Sequence, residues 1–465
     1  MSVLEEKFVI TEDNLWSQFK DRVKENEHAV AVFQEKKPYS RSELYKRAVK
    51  LAEQFANIGI AKGSKVLFDS HSTVDTVMIG LAISKLEATI CPINYKLSDH
   101  DLSVIIERLG ADAYISRKAS LDGERLVETE VEYYLKKSTD LQQSENENSN
   151  VALIGFTSGT TGIPKAVPHR PSALNYASRH CAEIAGLKTG DAIMAISPLT
   201  SAAGWTFNVH MALSLGFPLV LREKWDALQT LELMDFHHVR WAMCVPTHLL
   251  LMIEEVKRGN WKRKLDSVNA LSVGGSPNSE DMVKDTKNLL GIDVLRMYGM
   301  SECLGHASMR LDDPLEKRLI YDGQPFDGTH VEAYDENEEI LPRGHIGQAG
   351  VKGPSLFMGY LHGLGHEENK LTKDGAFLTG DLIYRDEDGF VKVVGRIKDQ
   401  INRGGLKIDP AEVENALIKH PQIVEAAVLG KPDKVLGERI CAVISKRTTD
   451  ELTLDDVCAH LQTVG

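Results

Sequence analysis

Short apolar runs alternate with segments of helical periodicity along most of this chain, and that alternation restricts its fold more than any other feature. Runs at 66–68, 89–92, 113–115, 192–196, 219–221, 241–245, 268–273 and 293–297 have strand length and fall short of helix length. Before the first of these runs, Ser40-Arg-Ser-Glu43 spells a capping box. It is followed by Leu44, Ala48, Leu51, Ala52 and Phe55 at helical spacing and then by Gly59. A second helical segment runs from Val74 to Lys85. Such a chain layers helices on largely parallel sheets. The absence of self-similarity at periods of about 20 to 50 residues argues against a solenoid or propeller.

The 465 residues leave room for two or three domains. Lys136 to Asn150, with its Ser-Glu-Asn-Glu-Asn-Ser-Asn run, cannot bury apolar area and is expected as an exposed connector. After Gly395 the sequence turns basic and glycine-rich. Asp409-Pro410 then opens a helix carrying Val413 and Leu417, which places a domain boundary near Lys398. The expected division is 1–397 and 398–465. The net charge of −13 argues against nucleic acid as the main partner and leaves room for a local cationic pocket. Cys91, Cys181, Cys244, Cys303, Cys441 and Cys458 show no ligand spacing and are expected as buried, reduced thiols of a cytoplasmic protein. The N-terminal segment has no apolar core for a secretory signal. The most apolar stretch, 209–221, contains His210, Gly216 and Pro218 and is too short to span a bilayer.

Chemistry concentrates in a few words. In Thr157-Ser158-Gly159-Thr160-Thr161-Gly162-Ile163-Pro164-Lys165, hydroxyls and glycines let backbone N–H groups converge on a polyanion, and Lys165 adds a point charge. It lacks the GK[ST] ending of a Walker A loop. By composition alone it also reads as a solvated turn. Tyr298 alone reads as a core aromatic, Glu302 as a surface acid and Thr379-Gly-Asp381 as a turn.

Taken together and in order, these words resemble the adenylate-forming superfamily of acyl-CoA synthetases, peptide-synthetase adenylation domains and luciferases. The matching words are Thr157 to Lys165, Val273-Gly274-Gly275-Ser276, Tyr298-Gly-Met-Ser301-Glu302, Thr379-Gly-Asp381, and Gly395-Arg396-Ile-Lys398 running through Arg403-Gly404-Gly405 to Pro410. Leu86 to Tyr95 adds a weaker match. The resemblance implies an α/β fold: a large N-terminal domain of layered mixed sheets flanked by helices, plus a small mobile α+β C-terminal domain. It implies that the 157–165 loop holds phosphates and that Tyr298 and Gly274 to Ser276 sandwich adenine, as an aromatic face suits. Ser301 would meet the α-phosphate and Glu302 would hold Mg²⁺, which accepts a single carboxylate plus substrate phosphates. Asp381 and Arg396 would take the ribose, Lys398 would serve as hinge, and Gly404 and Gly405 would line a pantetheine tunnel.

The implied reaction uses ATP, Mg²⁺ and coenzyme A: a carboxylate attacks the α-phosphorus, giving an acyl-adenylate and pyrophosphate, and a thiol displaces AMP. A fatty acid is the expected substrate, in a cytoplasmic enzyme for which a homodimer is an open state. An aryl- or amino-acid ligase loading a carrier protein, and a non-catalytic acyl or nucleotide sensor, are the alternatives. Two departures stand out. The superfamily's C-terminal adenylation lysine, in a Pro-x-Thr-x-x-Gly-Lys word, has no counterpart, so the lid domain is expected to be shortened. Lys431, Lys434 and Lys446 are at hand, but nothing in their spacing recommends them over a solvated-face reading. In Pro198 to Gly204, Ser201 stands where the superfamily commonly has a histidine that gates the acyl pocket; Trp205 beside it reads equally as pocket wall or core, and His210 as a core histidine.

Overall fold

The computed structural model describes residues 11–118, 123–126, 128–137, 150–157, 164–276, 279–361, 371–446 and 452–464. The helix Val74–Lys85 organises the first half: every residue from Val74 to Ser84 is buried. A helix so largely apolar on every side has no solvent face and lies inside, with its buried Asp75 satisfied by the Glu130 and Val131 N–H groups. It does so between two sheets whose inner faces share one core with it, including Phe68, Met78, Leu81, Trp205, Trp241 and Met243.

One sheet has, among the described residues, seven strands centred on the parallel set Lys65–Asp69, Thr89–Ile93, Ala113–Ser116 and Leu153–Thr157. The other has nine, with a parallel centre formed by Val30–Gln34, Ile193–Ala195, Leu219–Leu221, Trp241–Cys244, Ala270–Gly274 and Asp293–Met300. Both faces of these strands are covered, which is why they read as continuous apolar runs instead of alternating ones. Helix Asp99–Leu109 packs on the outer face of the first sheet through Leu102, Ile105 and Leu109. Helices Ala227–Phe236 and Pro246–Lys257 cover the outer face of the second. The capping box closes as expected: the Glu43 N–H donates to Ser40 Oγ at the start of helix Arg41–Asn57.

Two antiparallel sheets follow that alternation does not predict. Strands His330–Tyr334, Ile346–Lys352, Phe377–Arg385 and Val391–Arg396 form the first. It packs on Tyr298, Cys303 and Ala307 through Val331, Ala349, Val351 and Ile383. The buried Arg296–Asp322 pair ties it down further, with Nη2–Oδ1 at 2.9 Å and the Val393 N–H donating to Asp322 Oδ2. The second comprises Ile401–Arg403, Leu406–Ile408, Ile423–Asp433 and Gly437–Lys446, with helices Pro410–Ile418 and Leu454–Val464 over a small core of Ile401, Leu417, Ile423 and Val428.

Several expectations need correction. Lys136 and Lys137 are not connector: they complete strand Tyr134–Lys137, which extends the seven-stranded sheet by pairing with Ala113–Ser116, and 138–149 lie outside the described residues. All six cysteines are free, but only four are buried. Cys441 is half-buried on the outer ribbon and Cys458 exposed on the last helix, because the small C-terminal core is too shallow to cover them. Among the described residues, no helix is long and apolar enough to cross a membrane.

Candidate active site

Thr157, Gly274 and Tyr298 lie at or near the carboxyl ends of parallel strands, the end at which open α/β sheets bind ligands, and the contacts below join several of the words singled out in the sequence. Thr157 closes strand Leu153–Thr157 and Lys165 opens Lys165–His169. The two residues face each other across an antiparallel pair. Ser158, Gly159, Thr160, Thr161 and Gly162 lie outside the described residues.

Gly274 pairs in register with Met297, next to Tyr298. A Cβ on Gly274 would come within 2.5 Å of the Met297 carbonyl oxygen, so the close approach of these strands requires glycine. Gly275 then turns at φ +88°, a left-handed conformation costly for an L side chain, and carries Ser276 out to the surface.

Tyr298 is buried, and its hydroxyl donates to Asp381 Oδ2 at 2.8 Å and lies 3.2 Å from Thr379 Oγ1. Burial, and then the neighbouring Asp381 charge, push the phenol well above its ordinary range, which keeps it a donor. Asp381 is buried opposite Arg396 in the antiparallel ladder and accepts from Arg396 Nε at 3.0 Å. The sheet register thus joins Tyr298, Asp381 and Arg396 directly.

Glu302 is buried, and Tyr360 donates its hydroxyl to Glu302 Oε1 at 2.6 Å. Lys165 Nζ lies 5.0 Å from the Tyr360 ring centroid. The Ser301 carbonyl accepts from His169 Nε2 at 2.7 Å, and burial lowers that imidazole to about 4, so it is neutral at pH 7. Backbone bonds Phe357 N–H to Glu302, Met358 N–H to Pro168 and Leu361 N–H to Ala166 lace segment 357–361 between the loop hairpin and the Ser301-Glu302 turn. Tyr360, His169 and Thr379 are contacts that the motif reading missed; Thr379 alone stood inside a recognised word.

Lys398 is exposed on the turn Ile397–Asp399, directly after Arg396. Gly404 and Gly405, at φ +62° and +91°, form the two-residue turn of hairpin Ile401–Arg403/Leu406–Ile408, where both positions require left-handed backbone. Lys431, Lys434 and Lys446 are exposed. Ser201 caps a helix: its Oγ accepts from Gly204 N–H at 2.9 Å. Trp205 is core, its ring edge-on to Phe68 and tight against Gly80. His210 is buried and bonded to Asn175 Oδ1 at 2.7 Å, as a core histidine should be.

The donor set suits Mg²⁺. Glu302 is a hard carboxylate donor of the kind that Mg²⁺ takes alongside substrate phosphates, and among the described residues there is no cluster of three or more His, Cys, Asp or Glu that could hold a metal ion.

Comparison with known proteins agrees with this geometry. The chain is 29% identical to pyochelin synthase PchD of Pseudomonas aeruginosa over 447 residues, covering 90% of this chain and 80% of that protein. It is 28% identical to 2,3-dihydroxybenzoate-AMP ligase of Bacillus subtilis over 439 residues, 88% of this chain and 80% of that protein. With the medium-chain fatty-acid–CoA ligase of Escherichia coli it shares 31% over 311 residues, 66% of this chain and 54% of that protein. The structure of o-succinylbenzoate CoA synthetase from Bacillus subtilis, in complex with its acyl-adenylate, superposes with a TM-score of 0.83 at 23% identity. That superposition covers 97% of this chain and 92% of the other and supports the fold. Residues 19–361 match the AMP-binding enzyme family and 412–464 its C-terminal domain, and the chain belongs to that family of adenylate-forming ligases.

Proposed function

We propose that this protein activates a small aromatic carboxylic acid as its acyl-adenylate and passes the acyl group to a thiol. The observation that carries the adenylation half is the convergence of Tyr298, Asp381 and Arg396 beside the Glu302–Tyr360–Lys165 contact, at the same edge as the 157–165 hairpin. In this reading the Tyr298 face and the Gly274 to Ser276 backbone take adenine, Asp381 and Arg396 take ribose, and Ser301 and Lys165 take phosphate. Glu302 would hold Mg²⁺, which supplies neutralising charge to the phosphates. The remaining catalysis is positioning and electrostatic stabilisation by residues already fixed in place. Lys398, exposed between the third sheet and the C-terminal one, is our hinge, with 1–397 and 398–465 as the moving parts. The open Gly404-Gly405 turn is offered to the thiol's pantetheine arm.

The preference for an aromatic acid rests on the extent of similarity: the dihydroxybenzoate ligase aligns with 88% of this chain and the fatty-acid ligase with 66%. It gains support from His306, a buried neutral imidazole edge-on to Tyr298 whose one hydrogen-bonding neighbour among the described residues is the Cys303 backbone, which leaves a ring nitrogen for a further partner. A polar substituent on the acid would satisfy it; an alkyl chain would not. The fatty-acid–CoA ligase expected from the sequence is the second reading, favoured by the 31% identity to the medium-chain enzyme.

The test is ATP–pyrophosphate exchange over hydroxybenzoic, amino and fatty acids, with thioester formation read on coenzyme A and on a carrier protein. Exchange with hydroxybenzoates supports the first reading and exchange with medium-chain fatty acids the second. Tight AMP binding with no exchange by any acid would make the protein a sensor and refute both.

A further inference from the structure

Tyr360 belongs to none of the words that reveal the family, yet it touches two of them at once. Its hydroxyl donates to Glu302 Oε1 at 2.6 Å and its ring carries the Lys165 ammonium at 5.0 Å. The ring cannot swing away freely: it packs with Met300 and Leu356 against Val167, Phe357 and Phe377, with the Phe357 centroid 4.9 Å away. The backbone on either side of it is pinned by the Met358–Pro168 and Leu361–Ala166 hydrogen bonds to the loop hairpin. Glu302 Oε2 accepts no hydrogen bond from a described residue.

We propose that Tyr360 is a positioning residue for the phosphate-binding end of the site, acting through two separable contacts. The hydroxyl occupies one oxygen of Glu302 and thereby presents the other in a fixed direction. A buried carboxylate without that tether would keep its torsional freedom and would have to lose it on binding a cation. The ring acts on Lys165, contributing cation–π attraction that favours the ammonium's position at the base of the loop hairpin. Tyr360 thus couples the residue assigned to Mg²⁺ with the residue assigned to phosphate. The inference rests on the proposed role of Glu302.

Because hydroxyl and ring act on different partners, two substitutions take the contacts apart. ATP binding is measured calorimetrically on the full chain, first in EDTA and then over a Mg²⁺ series, with thermal melts in parallel. Tyr360→Phe keeps the ring and loses the tether. We expect the Mg²⁺ concentration that half-saturates the enhancement of ATP binding to rise about tenfold, the scale of one hydrogen bond to a charged group. Affinity in EDTA should stay within about twofold, since one lost hydroxyl leaves the cation–π contact intact. Tyr360→Leu loses both contacts, and we expect the same Mg²⁺ shift plus a weakening in EDTA of about threefold or more.

A Tyr360→Phe protein with the wild-type Mg²⁺ dependence overturns the hydroxyl's role. A Tyr360→Leu protein with wild-type affinity in EDTA overturns the ring's. Glu302→Gln separates this inference from the reading beneath it. If Glu302→Gln abolishes the Mg²⁺ enhancement while Tyr360→Phe is silent, only the inference falls. If Glu302→Gln is itself silent, the metal assignment falls and takes the tether with it. Should Tyr360→Phe melt early, an undisturbed affinity in EDTA still certifies the site, and the Mg²⁺ series remains readable.

Discussion

Replacing Asp381 with asparagine should weaken nucleotide binding far more than it weakens the fold, and the structure explains the difference. The carboxylate is 5% exposed and uses both oxygens, Oδ2 for the Tyr298 hydroxyl at 2.8 Å and Oδ1 for Arg396 Nε at 3.0 Å. Asparagine keeps the volume but turns one acceptor into a donor, so one of the two partners must let go. Arg396, with its side chain 54% exposed, can turn to water, and the folding cost should be about 1 kcal/mol or less. In the proposed binding mode the ribose has no such alternative. Two neutral hydroxyls donating to a carboxylate are charge-assisted, at about 1.5–3 kcal/mol each, and an amide offers one oxygen of roughly half the strength. The net loss should be about 2–3 kcal/mol, or roughly thirty- to a hundredfold in affinity. Titration calorimetry with AMP, alongside a thermal melt, measures both quantities. Tyr298→Phe is the companion: it keeps the ring and removes the tie, and should lose about tenfold or less. AMP affinity within about threefold of wild type in folded Asp381→Asn would refute the ribose assignment, and equal losses in the two variants would transfer the effect to the tyrosine tether.

Arg296→Met should cost about 3–5 kcal/mol by stranding buried Asp322, seen as a lowered urea midpoint, while pairing it with Asp322→Leu should recover much of that loss. Ser201→Ala should lower stability by about 1 kcal/mol through the lost helix cap; a larger effect on acid selectivity than on stability would contradict its structural role. Gly80→Ala should destabilise by about 1–3 kcal/mol despite alanine's better helix propensity, because its methyl would run into Trp205. Burial lowers His210 and His306 to about 3, against about 6.5 unfolded. Their stabilising contribution is complete above about pH 6.5 and is lost as pH falls toward 3. At pH 5 each costs about 2 kcal/mol, and melts of His306→Phe between pH 7 and pH 5 should show a shallower decline than wild type.

The sequence carries the parallel half of the fold plainly, because strands covered on both faces become apolar runs and amphipathic helices such as Arg41–Asn57 carry their own caps. It carries the third sheet poorly. Strand Phe377–Arg385 alternates buried and half-buried positions under a partner sheet that also supplies Tyr298, so its register with Arg396 belongs to the tertiary structure. The site divides the same way. Tyr298 and Glu302 sit in a short word because they lie near a strand end and in the turn after it, and Asp381 sits in another, mid-strand directly after Gly380, whose φ of +82° only glycine adopts readily. Tyr360 and His169 reach their partners across 58 and 132 residues, and no local word records such a contact.

The same division explains why acid selectivity resisted a motif reading. Ser201 and Trp205 occupy positions where the superfamily's pattern suggested a gate and a wall, but here Ser201 spends its hydroxyl on the helix end and Trp205 wedges between Phe68 and Gly80. The helix they begin then widens into π geometry over Trp205–His210 before resuming as Met211–Leu215. A π turn rotates the residues that follow it away from the face an α-helix would give them. Side-chain direction beyond Gly204 therefore cannot be counted off in steps of 3.6. Thr206 Oγ1 and Asn208 Oδ1 within that turn are buried polar atoms without partners among the described residues, and His306 on a separate strand, beside the Cys303 backbone, keeps a ring nitrogen unbonded among them. Each such atom carries a desolvation cost of about 1–3 kcal/mol until something hydrogen-bonds to it. A site that selects acids by their polar substituents tolerates such costs, because satisfying them is what distinguishes a hydroxyl-bearing acid from its bare analogue.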